Sequence, residues 1–277
     1  MVKVKVLIVL YNKHIFESET CQSLVNVGNI HSKAISEIYI WNNSSFLLQE
    51  NEKNLFDSDF PNARVYYFED CKNYPLSVVY NTIISRLDTD GGLLILDHDS
   101  TFDENFIKEI QEGFNDYPNI NLFLPRIYYH STMVSPARQY YFYGRYLKQE
   151  IKGVVKSQFL TAINSGMFIR CSYLKNEFEG YNEKIKFYGT DNDFMYKYSK
   201  KNKYIYVLNA RINHELNYYE DISLEKRLHR YKDIRNGIIE QMKSINSVLY
   251  FFSRIYLLYY ECRMNVKYCT MRFFNLK

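Results

Sequence analysis

The chain has 277 residues, of which 47% are hydrophobic and 24% charged, enough to bury a large core and form one big α/β domain or a domain with an appendage. Lys+Arg 35 against Asp+Glu 31 leaves a net charge of +4, too mild for a nucleic-acid partner, where a clustered basic stripe is expected. An aromatic content of 17% without low-complexity sequence excludes disorder, collagen and coiled coil, and five scattered cysteines with no CxxC pair support neither a zinc site nor a disulfide framework.

Val4 to Tyr11 is a nearly continuous β-branched run, the pattern of a strand buried on both faces of a parallel sheet. Its short apolar stretch, with alternating lysines and no small-residue cleavage site, is not a signal peptide. No segment approaches the roughly 20 apolar residues that span a bilayer, so the expected location is cytoplasmic. A helix is expected from about Ser18 to Val27, then a strand Glu37–Trp41 closed by the turn-forming Asn42-Asn43-Ser44-Ser45. A third strand, Arg64–Phe68, precedes a helix whose apolar residues (Leu76, Val79, Tyr80, Ile83, Ile84, Leu87) recur at helical spacing. After Gly91-Gly92 a wholly apolar strand, Leu93–Leu96, runs straight into Asp97-His98-Asp99. This alternation implies right-handed βαβ crossovers and a mostly parallel, Rossmann-like sheet.

A helix from Asp103 to about Asn115 and a strand Asn121–Tyr129 follow. The polar, aromatic segment His130–Phe159 reads as an irregular functional loop or lid. Regular structure resumes at Ala162–Arg170, with a helix from about Asp191 and a strand Tyr204–Leu208. Past Leu224 the pattern is helical to the end, and Val248–Cys262 is a dense aliphatic and aromatic block. The expected organisation is residues 1–220 as one domain, with halves of about 1–100 and 101–220, and 221–277 as a helical tail.

The main chemical feature is Asp97-His98-Asp99-Ser100 at the end of a buried strand. In an open α/β sheet ligands bind at the carboxyl ends of the strands, and two acids one residue apart can share a hard divalent cation that bridges nucleotide phosphates. The same triplet also serves as a solvated turn. Asn42-Asn43-Ser44-Ser45 ends a neighbouring strand and can touch the same ligand or be a plain turn. Asp191-Asn192-Asp193 opens a helix, where one carboxylate can cap it and the other act as a general base. His214 follows an apparent strand, as a structural residue or a ligand.

The succession Tyr11-Asn12, Asn42-Asn43-Ser44-Ser45, Tyr80-Asn81, Asp97-His98-Asp99-Ser100, Asn164-Ser165-Gly166 and Gly189-Thr190-Asp191 resembles the family 2 glycosyltransferases of the GT-A fold over roughly residues 2–216. Within them it looks closest to the bacterial rhamnosyltransferase-like branch of O-antigen and capsule synthesis. The resemblance implies an inverting enzyme that moves a hexose or deoxyhexose from a nucleotide-diphosphate sugar to a surface glycan or a lipid-diphosphate-linked acceptor, with Mn²⁺ or Mg²⁺. Asp191 would be the base, and Asp97, Asp99 and His214 the metal side. Leu10, Tyr11, Asn12, Asn42, Asn43, Ser45, Asn73, Asn81, Asp97 and His98 would contact the nucleotide-sugar, and Ser165, Gly166 and Asp193 the acceptor side. Two positions depart from the family pattern. Asn42 stands where an Asp usually receives the uracil or thymine imide, which leaves only an uncharged amide to read the base, and Thr190 stands for the usual Glu.

The alternatives are a catalytically silent sugar-nucleotide or glycan-binding module, which would tolerate loss of Asp191, and a nucleotidyltransferase. The latter would need a Gly-rich basic loop after the first strand, and Tyr11-Asn12-Lys13-His14 is not one. Residues 248–263 suit peripheral membrane contact, where three or four inserted side chains at about 2 kcal/mol each would supply about 6–8 kcal/mol. Packing within the protein or a homo-oligomer seam would bury the same face.

Overall fold

The computed structural model describes residues 2–31, 33–214 and 223–274; the side chains of 29–31 and 214 lie outside the description. The chain opens with β1 (Val4–Leu10), α1 (Glu19–His31), β2 (Ile35–Asn42), α2 (Glu50–Asp59), β3 (Arg64–Glu69), α3 (Leu76–Arg86) and β4 (Gly92–Asp97). It continues through β5 (Ser100–Thr101), α4 (Glu104–Asp116), β6 (Leu122–Tyr129), β7 (Thr132–Ser135), β8 (Ala137–Tyr140), β9 (Tyr143–Tyr146), β10 (Gly153–Lys156) and β11 (Leu160–Thr161). Then come β12 (Phe168–Arg170), α5 (Cys171–Asn176), α6 (Thr190–Lys201), β13 (Tyr204–His214), α7 (Leu224–Ile245) and α8 (Ser247–Lys267).

The main sheet has the order β10-β13-β6-β12-β4-β1-β2-β3. Strands β1 to β4 are mutually parallel, and β6 and β13 are parallel to each other. β1 is buried along its whole length because both its faces are covered. Val4, Val6, Ile8 and Leu10 join one core layer, while Leu7 and Val9 join the other, as the period-2 geometry of a strand requires. Helices α1, α2 and α4 cover the first face, and α3, α5 and α6 the second. The sequence expectation of a mostly parallel α/β sheet holds.

One strand breaks the parallel run in a useful way. β12 lies between β4 and β6, antiparallel to both. The residues just before it therefore lie beside the carboxyl end of β4, where the Gly166 amide donates to the Ile95 carbonyl (2.7 Å). Gly166 has φ +88°, and a Cβ there would fall 2.5 Å from Pro125 Cγ; only glycine fits this return.

Three segments differ from the sequence expectation. Residues 130–159 are not irregular: β7 and β10 join the main sheet, and β8 pairs with both β9 and β11 in a small second sheet. All four β9 residues are exposed, so no apolar alternation marks a strand that backbone hydrogen bonds alone define. Helix α2 buries little apolar surface beyond Phe56, and its start is held by Glu52, which accepts from the Gln49 amide (2.6 Å), a capping contact rather than a periodic pattern. β13 also extends past the expected Leu208, through a register shift between Val207 and Arg211, to pair Asn213 and His214 with Thr101 and Ser100.

Helices α7 and α8 enclose a third cluster that includes Leu228, Tyr231, Leu257, Met264 and Phe273. Among the described residues no helix is long and apolar enough to cross a membrane. Helix α7 meets the rest of the chain at Gly237, where an added Cβ would lie 2.3 Å from the Tyr188 carbonyl oxygen. Gly237→Ala should thus separate α7 from the 185–189 segment at a cost of about 1–3 kcal/mol, read as a lower melting temperature. An unchanged melting temperature would show that this contact relaxes without cost.

Candidate active site

The carboxyl ends of β1, β2 and β4 stand side by side, with Val9 opposite Asp97 and Leu10 opposite Asn42. A cleft of roughly 490 Å³ opens there, and Tyr11, Asn43, Asn73, Asp97, His98, Asp99 and Asp191 all reach its walls. The topology thus brings together residues that are up to 180 positions apart in sequence (191 − 11), at the place where open α/β sheets bind ligands.

The Asp97–Ser100 turn is held by its main chain. Thr20, fully buried at the start of α1, donates its hydroxyl to the Asp97 carbonyl. The same oxygen accepts from the Ser100 amide (2.9 Å) and reaches the Ser100 carbonyl (3.1 Å). Ser18 Oγ donates to the His98 carbonyl (2.7 Å), and the Asp97 amide donates to Ser165 Oγ (2.9 Å), which also meets Ser100 Oγ (2.8 Å). Asp99 is 9% exposed and sits at the cleft wall beside Asp97. Ser18 and Thr20 escape sequence reading because their partners lie about 80 residues away.

Asp191 is the second residue of α6, which begins after Gly189 (φ +92°). Its carboxyl is pushed up to about 6 by burial, against the lowering effect of the Asn192 amide, which donates to it (2.8 Å). A carboxylic acid poised near neutrality is suited to accept a proton. Tyr80 lines the same cleft with no exposed surface. Its phenol is held well above its usual range by burial first, and then by Asp97, Tyr181 and Asp191.

The start of α6 is tied to its neighbours by polar side chains. Asn164 Nδ2 donates to Thr190 Oγ1 (2.9 Å), and Thr161 Oγ1 donates to Asn192 Oδ1. Asn81 Oδ1 accepts from the Tyr181 amide (2.8 Å), and its Nδ2 donates to the Tyr181 carbonyl (3.0 Å). Asn81 accordingly holds the segment before α6 to α3 and does not line the cleft.

Other expected contacts are spent elsewhere. Leu10 is fully buried in the core, and the Asn12 amide (φ +53°) donates to Ser44 Oγ (2.8 Å). Asn42 is 1% exposed; its Oδ1 accepts from the Ser44 amide and its Nδ2 donates to the Phe46 carbonyl (2.6 Å). It shapes its own turn and is absent from the cleft wall, which Asn43 reaches. Asn43 bonds Asn73 Oδ1 (2.8 Å) and the Tyr74 amide and carbonyl, pinning the loop before α3. Ser45 is exposed outside the cleft lining, and Ser165 and Gly166 brace the β4 turn from beneath. Asp193 faces away from the cleft, buried and paired with Lys197 (2.7 Å). The His214 side chain lies outside the description, although its backbone pairs with Ser100.

The tail supplies one wall of the cleft: His229, Arg230 and Asp233 of α7 line it. Their i, i+1, i+4 spacing marks a common helical face, the only trace of this role in the sequence. Among the described residues no group of three or more His, Cys, Asp or Glu side chains could hold a metal ion. Asp97 and Asp99 are nonetheless hard oxygen donors on one wall, and Mg²⁺-type ions are commonly held by one or two carboxylates plus substrate phosphates, so the residues present fit a nucleotide-bridged cation.

No protein-family model matches the sequence, and no curated protein matches it. Solved structures do resemble the fold. GalNAc-T7, crystallised with UDP, GalNAc and Mn²⁺, aligns with a TM-score of 0.57 at 14% identity over 87% of this chain and 48% of that one. Staphylococcus aureus TarS aligns at 0.58 and 14% over 86% of this chain and 43% of that one. A 1–349 fragment of TarS bound to UDP-GlcNAc gives 0.58 and 14%, over 87% and 66%. These are GT-A glycosyltransferases, so the chain has the GT-A fold, and it spans about half the length of the first two.

The raised Asp191 carboxyl makes a stability prediction. Its cost to the folded state is absent below the ordinary Asp range near pH 4 and complete above about 6. Asp191→Asn should therefore be more stable than the parent at pH 8 by about 1–2 kcal/mol, the effect being reduced by water in the open cleft, and this gain should shrink as pH falls to 4. A gain that does not vary with pH in chemical denaturation would contradict the assignment.

Proposed function

We propose that the chain is a metal-dependent, inverting glycosyltransferase that moves a hexose or deoxyhexose from a nucleotide-diphosphate sugar to a hydroxyl of a surface glycan or lipid-linked acceptor. The observation that carries this reading is the meeting, in one strand-end cleft of a GT-A fold, of Asp97 and Asp99 with a base-like Asp191.

In this reading the nucleotide lies over the ends of β1 and β2, between Tyr11 and the Asn43–Asn73 pair. Asp97 and Asp99 would hold Mn²⁺ or Mg²⁺, and the cation would supply positive charge against the leaving diphosphate. Asp191 takes the proton from the acceptor hydroxyl as its oxygen attacks the anomeric carbon. The bond to the diphosphate breaks on the opposite face of the sugar, so the configuration inverts without a covalent enzyme intermediate. His229, Arg230 and Asp233 close the cleft from the α7 side and limit water around the reacting centre. With Asn42 buried in its own turn, the base is read by other groups at the cleft wall, and the choice of nucleotide follows from them.

Support for a site at a membrane surface comes from α8. Phe251, Phe252, Ile255, Leu258 and Tyr259 lie on its outer face, each more than half exposed. Arg254, Arg263 and Lys267 flank this stripe, and the only acid of the helix, Glu261, is buried and accepts from Arg235 Nε (2.9 Å). An apolar stripe edged by cations and free of exposed carboxylates matches an anionic lipid surface.

The first test is thermal shift with UDP-, dTDP-, GDP- and CMP-sugars, each with and without Mn²⁺. A stabilisation of several degrees that requires one nucleotide and the metal together is expected, and Asp99→Asn should abolish it. Asp191→Asn should keep that donor response while losing about 10²–10⁴-fold in transfer; retained transfer would remove Asp191 from the role of base, and a donor response with no transfer by the parent chain would leave only a binding module. For α8, the full chain should co-sediment with vesicles of phosphatidylcholine and phosphatidylglycerol. The variant Phe251→Glu/Ile255→Glu/Leu258→Glu should stay in solution, and a stable dimer that ignores vesicles would overturn the membrane reading.

A further inference from the structure

Two more cavities continue the donor cleft beyond Asp191. The first, about 360 Å³, shares Tyr188, Gly189, Asp191 and Arg230 with the cleft, and is walled by Phe142, Tyr231, Tyr256 and Tyr260 from the β8–β9 turn, α7 and α8. The second, about 370 Å³, shares Gln139, Asn192 and Gln241 with the first. Sharing these walls, the cavities line up as a path that begins beside Asp191 and ends near the far end of α6.

Helix geometry gives this path its direction. Asn192, Tyr196, Ser199 and Lys200 line the second cavity and fall at i, i+4, i+7 and i+8, one face of α6. At 1.5 Å per residue the groove follows α6 for about 12 Å from Asn192 to Lys200. Four lysines line it (Lys156, Lys200, Lys201, Lys203), and among the described residues no Asp or Glu does. Lys201 is engaged with Glu179 (2.9 Å), whereas Lys200 and Lys203 lie over the rings of Tyr196 and Tyr204, contacts that leave an ammonium its positive field.

The mouth of the groove carries two exposed rings, Tyr141 and Phe159. Both hold left-handed backbone, with φ +55° and +57°, which costs energy for a bulky side chain and concentrates at ligand-contacting positions. Aromatic faces suit the apolar faces of pyranose rings, and the lysines suit anionic substituents. The first cavity adds Arg227 and Arg230 to its aromatic walls.

We propose that this path is the acceptor site and that the acceptor is an anionic glycan: its reactive hydroxyl meets Asp191, its sugar rings pass through the aromatic chamber, and its phosphate or carboxylate groups lie along the lysine groove of α6. The inference rests on the glycosyl-transfer reading above and adds the charge and the course of the acceptor.

The test titrates the full chain, without donor, against three short probes of similar length: a glycerol-phosphate oligomer, a galacturonate oligomer and a neutral dextran oligomer. Both anionic probes should bind at least tenfold tighter than dextran and weaken as salt rises from about 50 to 300 mM. A preference between them identifies phosphate or carboxylate as the natural group. Lys156→Ala/Lys200→Ala/Lys203→Ala should weaken the anionic probes at least tenfold, and Phe159→Ala should weaken all three, whereas Lys108→Ala on α4 should change nothing. Equal binding of dextran, no effect of the triple variant, or tighter binding of a short oligodeoxynucleotide would overturn the proposal. Nucleotide and Mn²⁺ thermal shifts, run on the same variants, separate the two failures: an intact donor response with no glycan binding sinks only this inference, and glycan binding with no donor response sinks the transferase reading.

Discussion

The cleft depends on one contact: the start of α1 gripping the turn after β4. A strand end that presents Asp97 and Asp99 one residue apart brings like charges together on a turn that has no ladder partner of its own until β5. Thr20 and Ser18 supply the missing partners, and Ser165 braces the turn from the β12 side. The hydroxyl of Thr20 is fully buried and serves a carbonyl on either side of the turn as well as an amide. Losing such a buried group leaves main-chain atoms unsatisfied, at about 1–3 kcal/mol. The turn is thus fixed through its backbone, and the geometry of the two acids follows from where α1 begins.

A second constraint sets the opposite wall. Asp191 is useful only if the start of α6 stays over the ends of β1 and β4. Thr161 of β11 and Asn164 in the loop after it hold that start, Asn81 of α3 holds the preceding segment at Tyr181, and the 185–189 segment is pressed against α7 at Gly237. Burial achieved in this way is also what lifts the Asp191 carboxyl toward neutrality. Positioning and acidity therefore have one cause: packing around the helix N-terminus brings the carboxyl to the cleft and removes the water that would keep it ionised.

The tail is part of this arrangement. Helix α7 offers polar residues to the strand-end cleft, and α7 and α8 together offer aromatic ones to the neighbouring chamber, while α8 turns its apolar stripe outward. One face of α8 therefore borders a cavity near Asp191 as the other meets whatever lies outside. The inner residues Leu257 and Met264 and the outer Phe251, Ile255 and Leu258 alternate at helical spacing, so a single run of apolar residues serves both purposes.

Much of the frame was legible in the sequence. Apolar runs that end at or close to an Asn or Asp mark β1, β2 and β4, because a strand covered on both faces has few alternatives to Val, Ile and Leu. The Asp97-His98-Asp99 triplet and Asp191 stand out because carboxylates at a strand end or a helix start are local facts. Helix α2 and the strands β8 and β9 were not legible: a capping contact and backbone pairing hold them, and neither leaves an apolar period. The duties of Asn42, Asn81 and Asp193 were also hidden, since each depends on whether its amide or carboxylate meets a neighbour before it meets the cleft.

By itself, then, the sequence determined the α/β layering, the placement of two acids at the end of β4 and the helical character of the tail, all of which follow from local periodicity and residue type. Only the tertiary structure decided that Thr20 clamps the acid turn, that Asn42 is consumed by its own loop, that α7 walls the cleft and that the lysines of α6 and β10 line one groove with the Lys203 turn. Those outcomes rest on hydrogen bonds and contacts between residues that lie far apart along the chain, and no local pattern encodes which distant partner a polar side chain will meet.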